Sequence, residues 1–321
     1  MLSILRFTAY LARLAFVFRG INSRSADGGP AVPSSLAQHV AGIYAPLDLW
    51  LSYSGKTLHE VVQLRSHEVV TQFVLYVGAV DAYLDTAPGR TAFLEWPARV
   101  MEENPFRESL ECLRGMIARL DVPEECRATL DSETRQFVTA AISACLTNIR
   151  SQPADGTPGL ESLLDYRRRT SGAMYGTFAQ VLNLSHALDG ERSRRVAELL
   201  TCWGVAVQVL DDLVDLTWDY QQDPNNVMWT LLAADPAEHS KIAALAEGRR
   251  VFIPPVLREK APRTEKRLSD LMETYLGDIR SVEPTSLAIN DGVNTIRSAF
   301  SALLSPMAGL WVRGLMSISA T

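Results

Sequence analysis

Few folds tolerate four aspartates inside an apolar helical run, yet that is what the stretch Trp203–Tyr220 contains: Trp-Gly-Val-Ala-Val-Gln-Val-Leu-Asp-Asp-Leu-Val-Asp-Leu-Thr-Trp-Asp-Tyr. At about 100° per residue, Gly204, Gln208, Asp211, Asp215 and Asp219 fall on one stripe, with Asp212 beside it and Val205, Val209 and Leu216 on an adjacent one. An i, i+4 pair of aspartates is ordinarily a solvated face. Aspartate is a poor helix-interior residue, however, and a carboxylate among Val, Leu and Trp is costly unless a cation meets it. Oxygen ligands with no His or Cys nearby suit a hard ion such as Mg²⁺, which binds through one or two carboxylates and takes further oxygens from phosphates. The stripe reads as a metal-diphosphate site.

A second stripe repeats the pattern. The run Phe-Val-Leu-Tyr-Val-Gly-Ala-Val at 73–80 ends in Asp81-Ala-Tyr-Leu-Asp85, so that Val74, Gly78, Asp81 and Asp85 share a face. One DxxxD is weak evidence. Two such stripes on two long apolar helices, packed face to face, would form a pocket with acids on opposite walls. Between them in sequence lies Asp165-Tyr-Arg-Arg-Arg-Thr-Ser-Gly172. Three adjacent arginines cannot all face one way, so at most one or two of Arg167, Arg168 and Arg169 enter such a pocket. There they would clamp a diphosphate through bidentate hydrogen bonds; the alternative is a solvated basic turn.

The rest of the chain is consistent with an all-α protein, since no sustained alternation of β-branched residues supports a sheet. The sequence predicts helices over 36–54 with a bend near Pro46, 56–86, 107–120, 123–150, 159–188, 192–220, 237–246, 265–279 and 290–304, then an apolar segment Met307–Met316. With 321 residues, 47% of them hydrophobic, there is material for one large domain. The net charge of −6 argues against nucleic acid as a partner. Cys112, Cys126, Cys145 and Cys202 lack metal-type spacing and read as free thiols in a reducing, cytoplasmic compartment. The five histidines are scattered, which disfavours zinc.

Residues 1–35 read as an appendage and linker ahead of a domain over 36–321. Met1–Gly20 is apolar and aromatic with Arg6, Arg13 and Arg19; Asn22–Ser35 is rich in Ser, Gly and Pro. Arg13 interrupts any signal-peptide core, and no uninterrupted run spans a bilayer. Three readings stay open: a basic amphipathic helix associated peripherally with a membrane, a helix packed on the domain, and a mis-assigned start codon.

On these residues the chain resembles the class I isoprenoid synthases, which include isoprenyl diphosphate synthases, squalene and phytoene synthases and class I terpene cyclases. Gln208-Val-Leu-Asp211-Asp212-Leu-Val-Asp215 is similar to the second aspartate-rich motif, Q-x-x-D-D-x-x-D, and the register 211, 215, 219 looks like the metal triad of the cyclases. Arg167 lies near where cyclases hold a diphosphate-sensing arginine, and Arg-Thr-Ser-Gly is similar to a Lys-Thr-Gly element of the synthases. The resemblance covers about 56–226. It departs where the co-substrate site of the elongating enzymes would be: Gly55-Lys56-Thr57 is a partial match, Asp85 is followed by Thr-Ala-Pro-Gly-Arg90, and Asp223-Pro-Asn-Asn226 replaces Gly-Lys. The first motif is also short of a full DDxxD. The arrangement is nearest that of bacterial large-terpene synthases.

The resemblance implies a single-domain class I terpenoid synthase helical bundle with a central active-site cavity, binding Mg²⁺, expected as three ions, and a linear isoprenyl diphosphate. It implies metal ligation and catalysis by Asp81, Asp85, Asp211 and Asp215, with Asp212 and Asp219 as further metal ligands. Arg167, Arg168, Arg169 and Gln208 would bind the diphosphate. Phe73, Tyr76, Val77, Tyr175, Phe178, Trp203 and Gly204 would line the cavity or pack in the core beneath it. Activity is expected as cyclisation of one allylic diphosphate. The rivals are a chain-elongating or head-to-head prenyltransferase, a non-catalytic synthase-like subunit, and a helical lipid-binding protein. A homodimer is compatible with each.

Overall fold

The structure, a computed structural model, describes residues 43, 45–84, 106–151, 159–217, 219–220, 225–247, 254–282 and 286–305, with 89, 91, 92 and 95. The appendage and linker of 1–35, Asp85 and the segment Met307–Met316 lie outside them. Among the described residues every regular element is helical and none is a strand.

In chain order the helices are α1 (Ala45–Ser54), α2 (Leu58–Gln63), α3 (Ser66–Leu84), α4 (Phe106–Ala118), α5 (Glu124–Ser151) and α6 (Leu160–Arg167). A π-helical turn, Arg168–Gly172, leads into α7 (Ala173–Ser185) and the long α8 (Gly190–Val214). There follow α9 (Val227–Ala233), α10 (Pro236–Ala246), the short α11 (Leu257–Lys260), α12 (Pro262–Val282) and α13 (Leu287–Leu303). Helix α8 is central: α7 and the π turn pack along it, α12 lies against it, and α1 and α9 flank it.

Three predicted helices are each divided or shortened, for local reasons. The 56–86 helix is two, α2 and α3. Thr57 and Glu60 form a reciprocal capping box that starts α2, and Arg65 at φ 60° turns the chain left-handed before α3. Ser66, fully buried, fixes that break by hydrogen bonding to the Val61 carbonyl at 3.3 Å and to His186 Nε2 at 3.0 Å. The 159–188 helix is interrupted by the π turn, which inserts a residue into the hydrogen-bond ladder before Gly172.

The third change concerns the acid stripe itself. The 192–220 helix starts at Asp189, whose side chain accepts the Arg192 N–H, and stops at Asp215 rather than Tyr220. Orphan carbonyls of its last turns are taken by side chains: Asn226 Nδ2 donates to Asp212 O at 2.7 Å and Trp229 Nε1 to Leu216 O at 2.9 Å. Asp219 is therefore past the helix end. Its position on the stripe, expected from the periodicity, is corrected to a turn held by its N–H to Asp215 O at 2.9 Å.

The core runs through the bundle. Trp50, Phe73, Phe178, Leu182, Leu199 and Val209 are fully buried, and the Trp50 indole N–H reaches Asn183 Oδ1 at 2.8 Å. Glu238, also buried, accepts the N–H groups of Arg263 and Thr264 at 2.9 and 2.8 Å and so caps the start of α12. No helix among the described residues is long and apolar enough to cross a membrane.

Candidate functional site

The site grows out of one close helix crossing. A Cβ on Gly204 would stand 2.4 Å from Tyr175 Cδ2 and 2.6 Å from the Ser171 carbonyl oxygen; one on Gly172 would meet Val205 Cγ2 at 3.1 Å. Only glycines let α8 approach the π turn and α7 this closely. Gly204, expected to line a cavity, is instead the packing contact itself.

This approach brings Ser171 against α8. Its hydroxyl donates to Gln208 Oε1 at 2.9 Å, which turns the Gln208 amide nitrogen toward the acids, 3.0 Å from Asp212 Oδ1 and 3.3 Å from Asp211 Oδ2. Asp212 is 2% exposed. Its Oδ1 also accepts from Arg167 Nη2 at 2.9 Å, and its Oδ2 from the Val227 N–H at 2.8 Å. Arg167 Nη2 reaches the Asn225 carbonyl as well, at 3.0 Å, and Asn225 Oδ1 accepts from Asn148 Nδ2. Both oxygens of Asp212 are thus engaged by protein donors, and Arg167 faces this acid. The geometry gives the two a structural task where ligation and diphosphate binding were expected.

Asp211 is treated differently. Its carboxyl is pushed up to about 7, first by burial, then by the charges of Asp215 and Asp212 and, more weakly, Asp219; Arg167 offsets part of this. Asp215 is raised too, by burial and by Asp212. Asp211 nevertheless keeps more than a third of its surface open to solvent. The side chain is thus open to water while the protein around it is dense, and solvent screening works against the shift that burial produces. Tyr175, buried on α7, lies within the field of Asp211, which adds to burial in raising its hydroxyl.

The other predicted residues disperse. Arg168 stacks over Tyr275 of α12, its Cζ 5.9 Å from the ring centre, and Arg169 pairs with Asp165 at 2.7 Å in solvent. Phe73 packs edge-on to Phe137 with centroids 5.3 Å apart, Phe178 is fully buried, and Trp203 is 3% exposed with no hydrogen-bond partner for its indole N–H among the described residues. Val77 is half-buried against the core. Asp81 is in the last turn of α3. The face-to-face packing of α3 on α8, expected from the two stripes, is not how the described residues pack: α3 lies mainly on α4 and α7, and α7 in turn lies on α8.

Among the described residues no three His, Cys, Asp or Glu side chains stand close enough to share one metal ion. The donor set at the end of α8 suits an ion that takes one or two carboxylates and completes its shell with water or phosphate oxygens, the usual habit of Mg²⁺. A cleft of about 370 Å³ lined by Tyr53, Asp189, Arg192 and Arg195 lies at the other end of α8, about 30 Å from Asp211 at 1.5 Å per residue. A shallow one beside Arg135 and Thr139 is on the outer face of α5.

Sequence reasoning missed Ser171, Asn148, Asn225, Asn226 and Trp229. Asn226 had a readable signal, an N-cap residue directly before the apolar Val-Met-Trp-Thr-Leu-Leu. Compared with protein-family models, with curated proteins and with solved structures, the chain matches none.

Proposed function

We propose that the chain is a Mg²⁺-dependent class I terpene synthase that ionises a linear isoprenyl diphosphate and cyclises or quenches the resulting carbocation. The observation that carries this reading is the crowding of carboxylates at the end of α8. Asp211, open to solvent, is raised to about 7, first by burial among its surroundings and then by the charges of Asp215, Asp212 and Asp219, with Arg167 as partial offset. Such a surplus of negative charge favours a bound cation. The resemblance of Gln208–Asp215 to an aspartate-rich motif and the all-helical bundle support the same reading.

Asp211 and Asp215 would hold the ion, with Asp219 beyond the helix end; Asp81 and Asp85 are proposed as further ligands on the strength of the resemblance alone. When bound, Mg²⁺ neutralises charge that builds on the departing diphosphate. Asp212 and Arg167 anchor the turn from below, and Gln208 orients Asp211 through its amide.

A second reading, a non-catalytic synthase-like subunit, draws on one specific observation: Arg167 is directed to Asp212 and the neighbouring arginines point elsewhere. Asp215→Ala separates the two. On the enzyme reading it abolishes product from a single isoprenyl diphosphate while circular dichroism and melting stay those of the parent; equal product from parent and variant overturns the assignment.

A further inference from the structure

We propose that Asn226 is the positioning residue for the Asp219 carboxylate. The inference rests on the metal-diphosphate reading above and adds a residue to it. Asn226 is fully buried, and every hydrogen-bonding group of its amide has a partner that fixes its direction. Oδ1 accepts the N–H groups of Met228 at 2.8 Å and Trp229 at 3.4 Å, which caps α9. The nitrogen must then face the other way, where its two hydrogens go to the Asp212 carbonyl at 2.7 Å and to Asp219 Oδ2 at 2.8 Å.

One side chain thus closes the end of α8, opens α9 and holds an acid between them. That acid needs holding, because α8 stops at Asp215 and helical geometry no longer sets where Asp219 points. The donor is neutral, so it orients the carboxylate without discharging it, in contrast to Arg167, which brings a full positive charge to Asp212. Asn226 also ties the Asp219 turn to the backbone of the buried Asp212, so the outer acid takes its position from the anchored one.

The two functions of the amide can be separated. Asn226→Ser and Asn226→Asp keep an N-cap acceptor for α9 and lose the amide donor to Asp219 and to the Asp212 carbonyl; Asp219→Asn leaves the cap and the Asp212 bond untouched. The probe is Mn²⁺ in the presence of inorganic diphosphate, followed by electron paramagnetic resonance on the full chain, with thermal melting alongside. Loss of an orienting partner typically weakens metal affinity ten- to a hundredfold. We expect about tenfold weaker Mn²⁺ binding in Asn226→Ser, a loss at least as large in Asp219→Asn, which takes away the carboxylate itself, and no further loss in the double variant, since without that carboxylate the Asn226 donor has nothing to orient. Unchanged affinity in Asn226→Ser, or losses that add in the double variant, overturns the assignment while leaving the metal reading in place. If Asn226→Ser does not fold, Asn226→Asp and Asp219→Asn carry the comparison, and unchanged affinity in either overturns the assignment. Absence of Mn²⁺ binding by the parent chain overturns the metal reading and this inference with it.

Discussion

Arg167 and Asp212, 45 residues apart in sequence, form an ion pair of 2.9 Å at the centre of the polar network that joins α6, α8 and α9. Asp212 is 2% exposed and the Arg167 side chain 11%, so neither charge is well hydrated without the other. Removing one partner of such a pair leaves an uncompensated buried charge and costs about 3–5 kcal/mol. Asp212→Ala and Arg167→Ala should each lose that much in urea unfolding. A double apolar replacement, Arg167→Met with Asp212→Leu, should recover a large part of it.

Gly204 gives a steric prediction. In Gly204→Ala the new methyl would meet the Ser171 carbonyl at 2.6 Å, and a backbone oxygen in a packed helix cannot step aside as a side chain can. Overpacking of this kind costs about 1–3 kcal/mol, and the melting temperature should fall accordingly. Gly115→Ala is the control: among the described residues nothing lies within 4 Å of its added methyl, so it should stabilise α4 by about 0.5–1 kcal/mol. A fall in both would show that the crossing is not what makes Gly204 special.

Asp211 sets a pH dependence. Its folded carboxyl titrates at about 7, above the value of 3.8 for an unperturbed group, so between those values the folded chain binds more protons than the unfolded one. Its contribution to stability therefore falls as pH rises through this window. Asp211→Asn should be little different from the parent near pH 4, progressively more stable than it toward pH 7, and level beyond. A stability gain that is flat from pH 4 to 8 would contradict the assignment.

His186 contributes with the opposite slope. Burial, with help from the Lys56 charge and against that of Glu60, lowers its pKa from 6.5 to about 4 beneath Trp50 and Ser66. The folded state holds it neutral. Stability from this group is complete above pH 6.5 and is lost as pH falls toward 4. Denaturant titrations of His186→Gln against the parent should show a shallower loss over that interval.

How much of this could be read from residues alone depends on distance in sequence. The helical class was legible, and the start of α8 was expected at 192, two residues from where it lies, because hydrophobic period is a local signal. The clustering of Asp211, Asp212 and Asp215 follows from their register on one helix. The end of that helix was not legible: Leu-Thr-Trp continues an apolar pattern, and only the later residues Asn226 and Trp229 complete its termination. The pairing of Arg167 with Asp212 was likewise not legible, because it joins side chains 45 residues apart on different helices. Gly204 was placed on the right stripe and given the wrong task, since a stripe does not say whether a ligand or another helix covers it. Phe73 and Phe178 show the same limit: an apolar aromatic near an acid row is equally suited to core and cavity.

The central claim is most directly tested by incubating the full chain with Mg²⁺ and linear isoprenyl diphosphates of increasing length, each with and without isopentenyl diphosphate, and measuring both diphosphate release and extractable products by mass spectrometry. The account predicts diphosphate release and a hydrocarbon or alcohol from a single allylic diphosphate, abolished by chelation of Mg²⁺ and in Asp215→Ala. Release only when isopentenyl diphosphate is present, with a longer diphosphate as product, would contradict cyclisation; no release from any substrate would contradict the enzyme.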